Sequence, residues 1–137
     1  MVSLSEIAEE LQGELGNVFQ TTRVSSLQNE EQFLRELKSL NPDKLPGVII
    51  VFDSLGFLSD QGIGESGFTL VMVDRFVAGS DGRALSVLRA GANLLALFPP
   101  GGRMLGGVFV HPVQCLPCSP DPQFAALALS INCKQGF

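Results

Sequence analysis

A continuous run of β-branched and aromatic residues near the middle of the chain most constrains how this sequence can fold. Gly47 to Phe52 reads Gly-Val-Ile-Ile-Val-Phe. The run is too short for a helix, and it is too apolar for a strand with one wet face, because such a strand alternates polar and apolar side chains. The run therefore predicts a central strand of a sheet that other elements must cover.

Two amphipathic helices are predicted before this run, with a short strand between them. Ser3 and Glu6 have the spacing of a capping box, and a helical apolar repeat follows them as far as Gly16. The alternating, Thr-rich stretch Val18 to Val24 predicts a strand. Asn29 is the expected cap of the second helix. Its apolar stripe consists of Phe33, Leu34, Leu37 and Leu40. A strand, a helix and a strand in close succession predict that the first two strands are parallel.

The second half of the chain predicts a long loop, a helix and three more strands. Asp53 to Gly67 contains four Gly and shows little periodicity, so a long excursion is expected there. Phe68 to Val77 predicts a strand. A third helix is then expected to end before Pro99-Pro100-Gly101-Gly102. Its expected buried stripe is Leu85, Leu88, Ala92 and Leu95. The last two predicted strands are Gly107 to Cys115 and Phe124 to Cys133.

These elements predict an α+β fold with a mixed β-sheet of about five strands and two or three helices packed on it. The predicted order is α-β-α-β-β-α-β-β. A length of 137 residues suits a single domain, 1–137, and no repeat or linker divides it. Only 17% of the residues are charged while 45% are hydrophobic, so apolar side chains are expected on the surface as well as in the core.

Charge and hydropathy argue against several classes of function. Nine Lys and Arg against fourteen Asp and Glu cannot form the basic surface that nucleic acids or anionic lipids require. The longest apolar runs have about five residues, whereas a membrane span needs about twenty. The first residues lack the pattern of a secretory signal, and three Cys do not make a disulfide framework. Synthesis in a reducing cytosol is the expectation.

Cys115-Leu116-Pro117-Cys118 is the motif that most suggests a chemical function, because a Cys-x-x-Cys pair can hold a metal or cycle between dithiol and disulfide. Redox catalysis normally needs the first Cys at the N-terminus of a helix, whereas this pair ends a strand and a Pro-rich turn follows it. The expected role of both residues is that of strand-end thiols. A metal site at Cys115 and Cys118 is the minor alternative.

His111 and Cys133 could in principle complete a set of four soft metal ligands. If the final hairpin turns near Asp121, however, Cys133 pairs with about Phe109, some six or seven residues along the ladder from Cys115. That separation is roughly 20 Å, which one zinc ion cannot bridge. The sequence therefore predicts no complete metal site.

Two further motifs lack the context that their chemistry requires. Gly62-Ile63-Gly64-Glu65-Ser66-Gly67 matches G-x-G-x-x-G, but a strand follows it where a dinucleotide site needs a helix. The strand ending at Asp53 is typical of nucleotide hydrolases, but no phosphate-binding loop accompanies it. His111, the single histidine, is expected in a structural or interface role. Neither a catalytic residue nor a cofactor is predicted.

The order of the elements resembles that of the phage tail terminator, or tail-completion, proteins, especially those of Mu-like prophages. The resemblance spans nearly the whole chain and includes a strand that opens with Leu45-Pro46-Gly47-Val48. The other matching segments are the N-terminal helix, the strand ending at Arg23-Val24, the helix Glu30 to Leu40, the strand Phe68 to Phe76, the helix Arg83 to Phe98 and the terminal hairpin. The Gly-rich loop and the Pro- and Cys-rich final turn depart from the family, which leaves another head–tail connector component open.

The resemblance implies a homo-hexameric ring that caps the tail tube and meets the head–tail connector. The implied location is the bacterial host cytoplasm during assembly and then the virion tail. Neighbouring subunits of a ring present different patches to each other, and such patches can be apolar. Interfaces are expected at the Asp53 to Gly67 loop, the Pro99 to Gly106 loop and the open edge of a terminal strand. The candidate interface residues are Gly62, Ile63, Gly64, Phe68, Arg103 and Met104.

Two alternatives from other classes stay open. One is a binding module for a small hydrophobic ligand, held in a pocket between the sheet and the Leu-rich helices. The other is an enzyme that uses Cys115, Cys118 and His111.

Overall fold

The computed structural model describes residues 4–25, 30–41, 44–58, 63–75, 89, 91–118 and 124–135. In chain order the elements are α1 (Leu4–Leu15), β1 (Thr21–Ser25), α2 (Glu30–Lys38), β2 (Gly47–Leu58), β3 (Ile63–Arg75), α3 (91–97), β4 (Arg103–Leu105), β5 (Val108–Cys118) and β6 (Phe124–Gln135). The predicted α+β class is confirmed. The sheet has six strands where about five were predicted, because the short strand β4 forms within the expected loop Pro99 to Gly106.

The sheet is mixed, and its strand order is β1-β2-β3-β6-β5-β4. β1 and β2 are parallel, as predicted, in a register that runs from Thr21 opposite Gly47 to Ser25 opposite Val51. All other neighbouring strands are antiparallel. β2 lies between two neighbours, and Val48 to Ile50 within it are fully buried. The central position predicted for this run is confirmed.

The prediction of a long loop from Asp53 to Gly67 is wrong. β2 continues to Leu58 and β3 begins at Ile63, and the two strands pair from Ser54 opposite Gly67 to Leu58 opposite Ile63. Backbone hydrogen bonds hold such a ladder without the apolar alternation by which a strand is recognised in a sequence. Residues 59–62 lie outside the described part of the chain. All of the G-x-G-x-x-G string after Gly62 is therefore strand.

Two hydrophobic cores lie on opposite faces of the sheet. The first core lies between the sheet and the helices α1 and α3, with Leu11 and Leu94 among its fully buried side chains. The second core lies on the other face, where Leu37 and Leu40 of the α2 segment pack against the sheet. Its sheet residues are Ile49, Val71, Val73 and Ala126. The sheet is thus covered by α2 on only part of its second face.

The buried stripe predicted for the third helix is wrong at Ala92 and Leu95, the two of its residues that the structure describes. Ala92 and Leu95 are exposed, whereas Leu94 and Phe98 are buried. Gly91 lies so close to Leu127 that a side chain at position 91 would overlap it. The helix therefore approaches the sheet along the side that carries Gly91. Positions 91, 94 and 98 lie on that side and are buried. Leu85 and Leu88 lie outside the described residues, as do Ser3 and Asn29, the two predicted helix caps.

Candidate functional site

Three exposed apolar side chains lie on one face of β4 and β5, and we call Met104, Phe109 and Leu116 the outer strip. Met104 is 60% exposed and Leu116 is 52% exposed. Met104 pairs with Phe109 in the β4–β5 ladder. Phe109 pairs with Lys134 of β6 and Leu116 pairs with Ala128. Positions 134 and 128 are an even number apart, so all three strip residues share one face.

A β-bulge is what brings Leu116 onto this face. Phe109 and Leu116 are seven residues apart, and in a regular strand an odd separation places side chains on opposite faces. The register shifts between Pro112 and Gln114, so that Val113 is the extra residue. Strict alternation along the sequence would place Leu116 on the face opposite Phe109. The sequence does not reveal the bulge, because the bulge depends on pairing with β6.

The outer strip continues the face that α2 covers at the other end of the sheet. Ala128, opposite Leu116, packs against the edge of the second core. Within the described residues, no helix packs over Met104, Phe109 or Leu116. This part of the chain thus presents a row of apolar side chains to its surroundings.

Two close contacts fix the ring of Phe109 in the strip. Gly102 has a φ of 80° and lies directly against the ring, so that a Cβ at position 102 would overlap it. The rings of Phe109 and His111 lie 6.1 Å apart, centroid to centroid. His111 Nε2 is buried and has no hydrogen-bond partner in the described part of the chain. The Phe109 ring is therefore held by packing against Gly102 and His111.

The strip lies beside an incompletely paired sheet edge. β4 pairs only with Val108 to Val110, so the rest of β5 has β6 on one side and no strand on the other among the described residues. Pro112, Pro117 and the bulge interrupt this edge, as is common where strands must avoid indiscriminate pairing. The open edge was expected on a terminal strand. It belongs to β5, because β6 lies inside the sheet between β3 and β5.

Most of the interface residues predicted in the β2–β3 region lie within the sheet. Phe68 is 2% exposed and packs in the first core against Phe52, at 5.6 Å between ring centroids. Gly64 is buried in β3 opposite Phe57. Ile63 is the first residue of β3, but its side chain is not described. Gly62 lies outside the described residues. Phe68 and Gly64 therefore offer no surface to a neighbouring chain, because pairing and packing within the fold use them already.

Arg103 and Met104, the other two predicted interface residues, have different surroundings. Arg103 donates hydrogen bonds from Nη1 to Glu14 Oε1 at 2.8 Å and to the Leu97 carbonyl at 3.2 Å. It thus joins β4 to α1 within the chain. Met104 keeps its side chain exposed as part of the outer strip.

The two described thiols are separated, and Cys133 is buried whereas Cys115 is half-buried. Cys115 pairs with Leu129 and Cys133 with Val110, one residue from the predicted partner. The two lie four ladder positions apart, about 13 Å along the strand at ~3.3 Å per residue. This distance is shorter than predicted but still too long for two ligands of one zinc ion. Cys118 belongs to β5, and its side chain is not described.

Burial makes both thiols poor nucleophiles. It raises the pKa of Cys133 to about 12, and the Ser66 hydroxyl beside it offsets only part of that rise. Burial also raises the pKa of the half-buried Cys115. Both are therefore protonated thiols at neutral pH. No three or more His, Cys, Asp or Glu side chains gather into a metal-binding group within the described ranges.

A cavity of about 400 Å³ opens between α1 and the sheet, beside the C-terminal end of β1. Its lining residues are Leu4, Ser5, Ala8, Glu9, Gln12, Val24, Ser25, Phe52 and Phe68. Ala8 lies between Leu4 and Gln12 on the face of α1 that borders the cavity, and its small side chain leaves the space open. A single small residue at i+4 from a Leu is too weak a signal to predict a cavity from the sequence.

Ser25 lies at the edge of the cavity and has an unsatisfied hydroxyl, but it pairs with Val51, so its side chain lies on the α2 face of the sheet, opposite the cavity. Ser25 is 0% exposed, and its hydroxyl has no hydrogen-bond partner within the described structure. Gln12, by contrast, donates from Nε2 to the Thr22 carbonyl at 3.4 Å and so joins α1 to β1. Glu9 is exposed on α1, at the mouth.

Neither a protein-family model nor a curated protein matches this sequence. No helix of the described chain is long and apolar enough to cross a membrane. The functional argument therefore rests on the outer strip and the cavity.

Proposed function

We propose that this chain is a non-enzymatic structural protein that assembles into a homo-hexameric ring, like a phage tail terminator, to cap the tail tube and join it to the head. The observation that carries the proposal is the outer strip beside the open edge of β5. Single exposed apolar residues are ordinary on protein surfaces. Three on one face, next to an edge without a strand partner in the described part of the chain, are typical of a contact site.

The two edges of the sheet suit the head-to-tail contact that a ring needs. Ring subunits meet through two different patches, one on each side. The outer strip and the open part of β5 lie near one edge of the sheet. β1 forms the opposite edge, and Arg23 and Val24 are exposed there. Because the two edges differ, each subunit has one surface for each neighbour.

The raised pKa values of the described thiols support a role without catalysis. A Cys nucleophile or ligand must act as the thiolate, which burial opposes at Cys115 and Cys133. The proposed partners are further copies of the chain, the tail tube protein and the head–tail connector. A connector component other than the terminator would use the same kind of surface.

Electron microscopy of the purified protein tests the proposal. Wild-type protein is expected to form rings, and Leu116→Glu is expected to abolish them because it places a charge in the outer strip. Leu95→Glu is the matched control, since Leu95 is similarly exposed, at 42%, but lies on α3. The proposal fails if wild-type protein forms no rings, or if both variants abolish them equally.

A binding module for a small hydrophobic ligand is the second candidate function. The cavity beside α1 favours it, because about 400 Å³ lies within the size range of small-molecule sites.

A further inference from the structure

We infer that the Met104 end of the outer strip of one subunit docks into the cavity beside α1 of the next subunit, and that Lys134 meets Glu9 at the rim of this contact. The inference rests on the proposed ring, because it names the surface that each neighbour presents to the outer strip. The occupant of the cavity is then a second copy of this chain.

The two surfaces lie on opposite faces of the sheet, near its two edges. Met104 pairs with Phe109 and Phe109 with Lys134, so this surface lies near the β4 edge, on the face that α2 covers elsewhere. The cavity lies on the α1 face, and Val24 of the edge strand β1, which is 40% exposed, lines it. Ring neighbours contact each other through different patches, and patches that point in opposite directions can meet without turning one subunit over.

One surface protrudes and the other is a recess. Met104 is 60% exposed on the three-residue strand β4. The cavity has a volume of about 400 Å³, whereas roughly 150 Å³ takes up a benzene molecule, so one Met side chain fits with room to spare. Methionine is unbranched and adapts to irregular apolar walls, which Leu4, Ala8 and Phe52 provide. Side chains that fill such a pocket carry much of the binding energy of a contact.

The charges beside the two surfaces are complementary. Lys134 lies two strands from Met104, about 10 Å across the sheet, and the long Lys side chain covers part of that distance. Glu65 is directly opposite Lys134 on β3, but no ion pair joins the two in the described structure. Glu9 is exposed at the mouth of the cavity and also forms no ion pair with the described residues. Docking therefore brings two unpaired, opposite charges together.

Charge reversal tests the contact. Lys134→Glu and Glu9→Lys each place two like charges at every interface of a ring made from that variant alone. Each is expected to raise the protein concentration at which half of the chains are in rings by at least about tenfold. A 1:1 mixture of the two variants is expected to restore rings, because every interface of an alternating ring joins opposite charges. Native mass spectrometry, with one variant isotope-labelled, should then find three copies of each.

Glu10→Lys is the matched control. Glu10 is the adjacent exposed glutamate of α1, but it lies against Gly106 in the turn between β4 and β5. The substitution changes the net charge by as much as Glu9→Lys does. It is expected to change the ring-forming concentration by less than about twofold, and it should not restore rings when mixed with Lys134→Glu.

Filling the cavity tests the same contact without a change of charge. Ala8→Phe places a ring in the recess that would receive Met104, and it is expected to raise the ring-forming concentration by at least about tenfold. Circular dichroism of every variant shows whether its fold is intact before assembly is measured.

The results distinguish failure of this contact from failure of the ring. Folded single variants that assemble as well as the wild type, or a mixture that stays monomeric, would overturn the contact and leave the ring standing. Equal restoration by Glu10→Lys would do the same, as would a restored complex of only two chains, which indicates an isologous contact. A wild-type protein that forms no rings would overturn both.

Discussion

Arg103 on the edge strand β4 donates a hydrogen bond to Glu14 near the end of α1, at 2.8 Å between Nη1 and Oε1. The two residues are 89 positions apart in the sequence. β4 has only three residues and pairs with one strand, so this contact and the bond from Arg103 to the Leu97 carbonyl attach it to the helical layer. The position of Met104, and with it one end of the outer strip, depends on that attachment.

Breaking this ion pair is expected to weaken the fold slightly. Both side chains are partly exposed to solvent, which screens their attraction, so Glu14→Gln should lower the free energy of unfolding by about 0.5–1 kcal/mol. Urea unfolding of Glu14→Gln, Arg103→Ala and the double variant measures the coupling between the two residues. Strictly additive effects of the two single changes would show that the pair contributes nothing.

Gly102 is expected to be intolerant of a side chain. Its positive φ disfavours L-residues, and a Cβ would overlap the Phe109 ring, so Gly102→Ala should lower the free energy of unfolding by about 1–3 kcal/mol. Gly101→Ala is the matched control, because open space surrounds that position, and it should change stability by no more than about 0.5 kcal/mol. Equal effects of the two substitutions, measured by urea unfolding, would contradict the contact with Phe109.

Removing the Ser25 hydroxyl is expected to stabilise the protein. The hydroxyl is buried without a partner, so Ser25→Ala should raise the free energy of unfolding by about 1 kcal/mol. Ser39→Ala serves as the comparison, since that exposed hydroxyl already bonds to the Glu36 carbonyl at 2.6 Å. A loss of stability in Ser25→Ala would show that the hydroxyl has a partner.

The Cys133 thiol is expected to make stability fall at high pH. Its pKa is about 12 in the folded protein against 9.0 for an ordinary thiol. Between these values the unfolded chain releases the proton and the folded chain keeps it, so stability is complete below pH 9 and declines above it by up to about 1.4 kcal/mol per pH unit. Urea unfolding at pH 8 and pH 10 measures the decline. Cys133→Ala should show a shallower pH dependence, and an unchanged one would refute the assignment.

The sequence predicts the fold best where apolar pattern alone decides the structure. The run from Gly47 to Phe52 identifies the central strand, and the short connection through a helix identifies its parallel neighbour. Prediction fails between Asp53 and Gly67, where backbone pairing across a long hairpin replaces any apolar alternation. It also fails in α3, because the sequence does not reveal that Gly91 lies against Leu127.

The candidate sites depend on tertiary contacts that a sequence pattern does not contain. Met104 was among the predicted interface residues and is exposed. Leu116 joins it on the same face only through the bulge after Pro112. The cavity needs Ala8 and Phe52, which are distant in sequence, and neither residue type signals a binding site by itself.

The mass of the wild-type particle in solution tests the central claim most directly. Light scattering coupled to gel filtration is expected to give about 88 kDa, six copies of a 14.6 kDa chain, and Leu116→Glu is expected to give the mass of one chain. A wild-type protein that stays at 14.6 kDa, at concentrations well above those reached in an infected cell, would contradict the account.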